Sequence, residues 1–124
     1  MTIKKGPNIL LVDDDKDMCE SLADVLSMDS DYNVSYTIDP FKALEMIKEK
    51  DFSLIIIDYK MPNMNGLDLL KNIKKIKPDP VVFMLTAFIS NELIDQAKKE
   101  GADKVLSKFI WPEEILQHIK EAIS

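Results

Sequence analysis

The stretch Leu54–Gly66, LIIIDYKMPNMNG, most constrains what this chain can fold into. Four apolar residues, three of them β-branched, run straight into one aspartate, and a loop containing proline and glycine follows. A run so short and apolar, bounded by turn signals, reads as a parallel strand covered on both faces. Asp58 then stands where that strand ends. A lone carboxylate in such a place ordinarily does no more than cap a loop, so its meaning depends on what the other strand ends carry.

The rest of the chain repeats the pattern. Asn8–Val12 (NILLV) is an apolar run ending in Asp13, Asp14 and Asp15, after which Cys19, Leu22, Ala23 and Leu26 mark one face of a helix. Cys19, on that face, reads as a buried and inert thiol. Ser27–Asp31 is polar and loop-like, and Tyr32–Tyr36 alternates as a less buried edge strand would. Asp39-Pro40 starts a helix, because Asp accepts free amide bonds and Pro at the first helical position loses none that matter. Ala43, Leu44 and Ile47 then face inward to about Lys50.

A third helix opens near Asn65-Gly66 with Leu67, Leu70 and Ile73 inward, and Pro78 and Pro80 close the connection to Val81–Leu85, which ends at Thr86. Ser90 caps a helix whose inward residues are Leu93, Ile94 and Ala97, and Gly101 sits where a left-handed C-terminal cap belongs. Lys104–Ser107 is a short fifth strand leading to Lys108. Pro112 starts a last helix with Ile115, Leu116, Ile119 and Ala122 on one face, which leaves His118 at the solvated surface. Strands and helices alternate five times, so the expected fold class is α/β, a single doubly wound five-stranded parallel sheet with five helices on its two faces.

Composition narrows the function classes. The 124 residues lie within the modal size of one domain, about 100–150. The formal net charge is −6 and the sixteen basic residues are scattered among acids, which argues against direct nucleic-acid binding. Lys4 and Lys5 precede a strand and not a long apolar stretch, so no signal peptide is expected, and no run approaches the length that crosses a membrane. Cys19 is the only cysteine, which excludes an internal disulfide and fits a reducing, cytoplasmic setting.

The strand ends share one geometric address. In a doubly wound sheet, ligands bind outside the carboxyl ends of the strands, near the point where strand order reverses. Asp13 and Asp14, Asp58, Thr86 and Lys108 all fall there. Three gathered carboxylates repel one another unless a cation offsets them, and an oxygen-only donor set suits a hard ion, with Mg²⁺ the expected one. Lys108 can supply a point charge to a phosphoryl oxygen and the Thr86 hydroxyl can donate to another, while Ala87 leaves room for the group to approach the backbone. Each residue alone has an ordinary explanation as surface or turn; their conjunction at successive strand ends does not.

These residues carry a resemblance. LLVDDD at Leu10–Asp15, IIIDYKMPNMNG at Ile55–Gly66, MLTA at Met84–Ala87, GADKVLSK at Gly101–Lys108 and PEEI at Pro112–Ile115 together resemble the receiver domain of two-component response regulators, over essentially the whole chain. The resemblance implies a chemotaxis-type, flavodoxin-like fold with strand order 2-1-3-4-5 and one receiver domain over residues 1–124, stand-alone or cut from a longer protein. It implies that Asp58 is the phosphoacceptor, that Mg²⁺ is bound by the carboxylates of Asp14 and Asp58 with the backbone carbonyl of Lys60, and that Asp13 belongs to the same metal pocket, acting through water. Thr86 and Lys108 would hold the phosphoryl oxygens. The implied function is a phosphorelay switch that catalyses only its own phosphorylation and dephosphorylation. Its phosphoryl group would come from a phosphohistidine on a sensor histidine kinase or phosphotransfer protein. Downstream, the output domain or partner is unspecified, and a phosphorylation-dependent dimer is left open. Asp15 occupies a variable family position and is left out of the site.

Three departures lie together. Phe109 follows Lys108 where the family usually has proline, so a trans bond is expected there, because a cis bond to a non-proline residue costs about 2.5–4 kcal/mol. Val105 replaces the family's switch aromatic, and Trp111 stands where a capping Asp or Asn is common. Phe88, Phe109 and Trp111 are expected to form an apolar partner surface, with Ile110 filling the core instead. Two other readings compete. A receiver-like adaptor would not need Asp14, Asp58, Thr86 and Lys108 intact, and a haloacid-dehalogenase-like phosphatase needs a second acid two residues after its nucleophile, where this chain has Lys60.

Overall fold

Each apolar run forms a strand and each periodic stretch a helix. The computed structural model describes residues 5–28 and 30–123; Lys4, and Asp29 within the expected Ser27–Asp31 loop, lie outside the described residues. The elements are β1 (Asn8–Val12), α1 (Lys16–Met28), β2 (Asn33–Thr37), α2 (Pro40–Glu49), β3 (Leu54–Asp58), α3 (Gly66–Ile76), β4 (Val81–Thr86), α4 (Asn91–Lys99), β5 (Lys104–Ser107) and α5 (Pro112–Ile123). The five strands are parallel in the order β2-β1-β3-β4-β5. This is the expected α/β, flavodoxin-like sheet, with β2 at an edge.

Strand periodicity divides the core in two. Leu10, Val12, Ile55, Ile57, Val82 and Met84 pack against α2, α3 and α4, while Ile9, Leu11, Leu54, Ile56, Phe83 and Leu85 pack against α1 and α5. Alternate residues point to opposite faces, and both faces are covered, so the central strands are apolar without a break. The edge strands β2 and β5, covered by fewer neighbours, are only half-buried along their length.

Several caps fall where the sequence places them. Asp39 Oδ1 accepts from the Phe41 amide at 2.9 Å, Asn65 Oδ1 from Asp68 at 2.9 Å and Ser90 Oγ from Leu93 at 3.1 Å. Gly101 takes φ 107°, the left-handed value its place after α4 requires.

The structure corrects five local expectations. Helix α1 continues through Ser27 and Met28 before the loop begins. Strand β2 is one residue later than Tyr32–Tyr36, because the ladder pairs Asn8 with Asn33 and Val12 with Thr37, while the Tyr32 amide goes to Ser30 Oγ instead. On α3 the buried set is Gly66, Leu69, Leu70 and Ile73, with Leu67 half-buried; the helix turns its glycine to the sheet, which rotates the apolar face by one residue. On α5 the buried arc centres between Leu116 and Ile119 and continues to Ile123, leaving Ala122 exposed. His118 is not solvated but half-buried, because Lys104 reaches across from the edge strand β5 to within 2.8 Å of its Nδ1.

Candidate functional site

All strands run the same way, so the five loops leaving their carboxyl ends meet at one end of the sheet. Order reverses between β1 and β3, and the residues that follow those strands form the floor of a crevice of about 400 Å³. Its walls are Asp14, Asp15, Asp58, Tyr59, Lys60, Thr86, Ala87, Phe88 and Lys108. The structure therefore brings together Asp14, Asp58, Lys60, Thr86, Lys108 and Phe88 from the sequence-derived set. Asp13 lies buried beside them. Phe109 and Trp111 lie on the next loop and do not line the crevice.

Lys108 ties the acids together. Its Nζ stands 3.0 Å from Asp13 Oδ2 and 3.2 Å from Asp58 Oδ2. The lysine is aimed by its backbone, since its amide donates to the Thr86 carbonyl at 3.0 Å and extends the β4–β5 ladder past the strand end. The Lys108–Phe109 bond is trans, as expected without proline. Ile110 fills core space against the α1 and α5 side, also as expected.

The floor is electrostatically strained. Burial first, then the neighbouring Asp13, pushes the Asp58 carboxyl up from 3.8 to about 6, with Lys108 opposing. Burial alone would pull the Lys108 ammonium down, but Asp13 and Asp58 outweigh it and hold it above its ordinary value. Beneath Asp13, the Cys19 thiol donates to the Asp13 carbonyl at 3.4 Å, and burial pushes it up to about 12. The expected inert thiol is what the structure holds.

The donor set fits a hard cation. Asp13, Asp14 and Asp58 each offer a carboxylate oxygen, all within 4.8 Å of one another. Asp13 is already committed through both oxygens, Oδ1 to the Asp15 amide at 3.0 Å and Oδ2 to Lys108. Asp58 uses only Oδ2 in its ion pair. Asp14, exposed at the crevice, and Asp58 Oδ1 are thus the oxygens best able to take a metal directly.

Thr86 is buried, and its hydroxyl is occupied. Oγ1 accepts from the Phe88 amide at 3.1 Å and donates to the Phe88 carbonyl at 3.3 Å. It must turn away from Phe88 before it can donate into the crevice. Gly66 matters to the floor as well, because a Cβ there would stand 2.7 Å from the Asp58 carbonyl oxygen, and its amide donates to Tyr59 at 2.7 Å. Asn63, at φ 71°, turns the loop between them. Sequence reasoning passed over Asp15 and Tyr59 as lining residues. Asp15 also accepts from the Met18 amide at 3.2 Å and so caps α1, a role its place before a helix could have signalled.

Residues 9–120 match the family model described as the response regulator receiver domain. The transcriptional regulatory protein ZraR of Salmonella typhimurium is 32% identical over 94% of this chain, which spans only 26% of that protein's length. A CheY-like receiver domain from Methanospirillum hungatei superimposes with a TM-score of 0.89 at 31% identity, covering 94% of this chain and 93% of the other. A response regulator from Burkholderia pseudomallei, solved with a phosphorylated aspartic acid, calcium ion and citrate, gives 0.84 at 29% identity, over 96% of this chain and 67% of that one.

Proposed function

Because the chain belongs to the response regulator receiver family, we propose that it is a Mg²⁺-dependent phosphoacceptor in which Asp58 takes a phosphoryl group from a phosphohistidine of a sensor kinase or phosphotransfer protein. The carrying observation is Lys108 Nζ bridging Asp13 and Asp58, with a third carboxylate, Asp14, within reach of the same point. In the step, an Asp58 carboxylate oxygen forms a bond to phosphorus as the phosphorus–nitrogen bond breaks, and the imidazole leaves with the electron pair and takes up a proton.

Asp58 acts ionised, the form that Lys108 beside it favours and that a bound cation would favour further. Asp14 and Asp58, with the Lys60 carbonyl, would hold Mg²⁺, and Asp13 would act through a water. Bound there, the cation offsets charge on the transferring oxygens. Lys108 keeps contact with Asp13 while turning toward a phosphoryl oxygen, and the Thr86 hydroxyl leaves Phe88 to donate to another. The same groups would position water for hydrolysis, so the domain catalyses its own phosphorylation and dephosphorylation and nothing else. Residues 1–124 act as one receiver domain, stand-alone or within a longer cytoplasmic protein, and Phe88, Phe109 and Trp111 form its partner face.

Intact mass after incubation with acetyl phosphate tests this reading. A gain of one phosphoryl group that needs Mg²⁺ and is absent in Asp58→Asn is the expected result. No gain from acetyl phosphate or phosphoramidate would overturn it in favour of a non-phosphorylated adaptor.

A further inference from the structure

Lys108 reaches both floor carboxylates from a loop that lacks the family's usual proline. A proline after the lysine would fix the chain by its ring and would carry no amide hydrogen. Phe109 leaves that rotation free and adds a donor. Its side chain does not anchor the turn either, since it is 79% exposed, and β5 is the edge strand, with no further strand beyond it to pair with the loop. Something else must fix the direction in which the lysine leaves the sheet.

Ser107 holds the turn twice. Its Oγ accepts from the Phe109 amide at 3.1 Å and its carbonyl from the Ile110 amide at 3.5 Å, while the Lys108 amide just before them goes to the Thr86 carbonyl at 3.0 Å. Three successive amides are thus engaged, two of them by Ser107. The Phe109 amide is exposed, so water would satisfy it as well. What the serine bond adds is direction, closing the turn around Lys108 in one arrangement. Thr86, paired with Ser107 across β4 and β5, makes the same bond to the Phe88 amide at 3.1 Å. Thr86 is a wall of the crevice and has to turn toward a phosphoryl group, whereas Ser107 is not a wall and stays with its loop.

We propose that Ser107 is a positioning residue for Lys108. By holding the Phe109 amide, its hydroxyl takes the place of the proline and keeps the Lys108 ammonium 3.0 Å from Asp13 and 3.2 Å from Asp58, where a phosphoryl oxygen on Asp58 would meet it. The role rests on the reading of Asp58 and Lys108 given above, and Ser107 itself touches no reacting atom.

Ser107→Ala removes the bond and Ser107→Thr keeps it. Without the hydroxyl the loop divides its time among other arrangements, and the rate of labelling by acetyl phosphate should fall with the population lost, roughly two- to tenfold for one hydrogen bond. Ser107→Thr should restore the rate. The Mg²⁺ concentration giving half-maximal rate should not move, because Ser107 is remote from the groups that would hold the cation. In a Lys108→Met background S107A should have no further effect, since a residue that acts through Lys108 then has nothing to position. Amide exchange at Phe109, followed by NMR, should be faster in S107A than in the unsubstituted protein.

No loss of rate in S107A, an equal fractional loss with and without Lys108, or a loss that Ser107→Thr fails to restore would overturn the proposal. If the unsubstituted protein takes no label, the reading of Asp58 fails, and urea unfolding in EDTA decides this one instead. There S107A should lower the midpoint, and lower it less once Lys108→Met has removed the shared ion pair; an equal lowering in both backgrounds would overturn the proposal.

Discussion

Replacing Asp58 by asparagine should stabilise the metal-free protein. Asp58 is 4% exposed, and its carboxyl is pushed from 3.8 to about 6, by burial first and Asp13 second. The folded state thus binds this proton more tightly than the unfolded chain does. Above pH about 6 the ionised side chain opposes folding in full; as pH falls from 6 toward 3.8 the opposition fades, and below 3.8 it is gone. A shift of about two units corresponds to roughly 3 kcal/mol. Asparagine keeps the shape and removes the charge, and Lys108 retains Asp13 at 3.0 Å. The expected gain at pH 7.5 in EDTA is about 1–3 kcal/mol, since the amide is a poorer partner for Lys108 than the carboxylate. Urea unfolding followed by circular dichroism at pH 7.5 and pH 5 measures it for both proteins. The gap should narrow at the lower pH, and Mg²⁺ should raise the midpoint of the unsubstituted protein far more than that of the variant. A variant less stable at pH 7.5 in EDTA, or a gap that widens as pH falls, would refute the electrostatic reasoning.

Lys108→Met should move stability the opposite way, losing about 3–5 kcal/mol in EDTA at pH 7.5 because two buried carboxylates lose their shared cation, and the same urea titration checks it. Gly66→Ala places a Cβ 2.7 Å from the Asp58 carbonyl oxygen and 2.8 Å from Tyr59 Cα, so the ordinary benefit of alanine in a helix should give way to a loss of about 1–3 kcal/mol and slower acetyl phosphate labelling. Cys19, with its thiol pushed up to about 12 and 2% exposed, should resist a disulfide reagent at pH 8 in the native protein and react once urea unfolds it; prompt native reaction would show that α1 opens.

Much of this fold was legible because its central strands are buried on both faces. LIIID and NILLV leave no other economical reading, and the caps at Asp39, Asn65 and Ser90 mark helix starts by a local hydrogen bond that sequence states directly. Errors fell where tertiary packing decides. The register of β2 is set by pairing with β1, and the rotation of α3 by how closely Gly66 lets the helix approach Asp58. His118 was misplaced because the reach of Lys104 from another strand has no local signature. At the candidate site, strand ends told which residues converge, since parallel topology sends them to one rim. They did not tell that Thr86 spends its hydroxyl on Phe88, or that Ser107 repeats the arrangement beside it. Both depend on turn geometry beyond the strands.

Charge links the acidic floor to the aromatic rim. Ionised Asp13, Asp14 and Asp58 with protonated Lys108 leave a net charge of −2, from three negative and one positive, which one divalent cation cancels. A phosphoryl group on Asp58 replaces one negative charge with about 1.5 to 2. The crevice then gains up to one unit of negative charge, and Phe88 is part of its wall. A positive charge ~10 Å away would feel about 0.4–1.7 kcal/mol between the limits of water and a protein surface. A basic peptide of leucine and lysine should therefore bind the phosphorylated protein roughly two- to fifteenfold more tightly than the unphosphorylated one, measured by the emission of Trp111, the one tryptophan of the sequence. Raising salt to 1 M, where screening acts within about 3 Å, should erase the difference. Coupling that survives 1 M salt would refute the charge argument and place the change in the Phe88 turn, whose amide and carbonyl Thr86 must release in order to face the phosphoryl group.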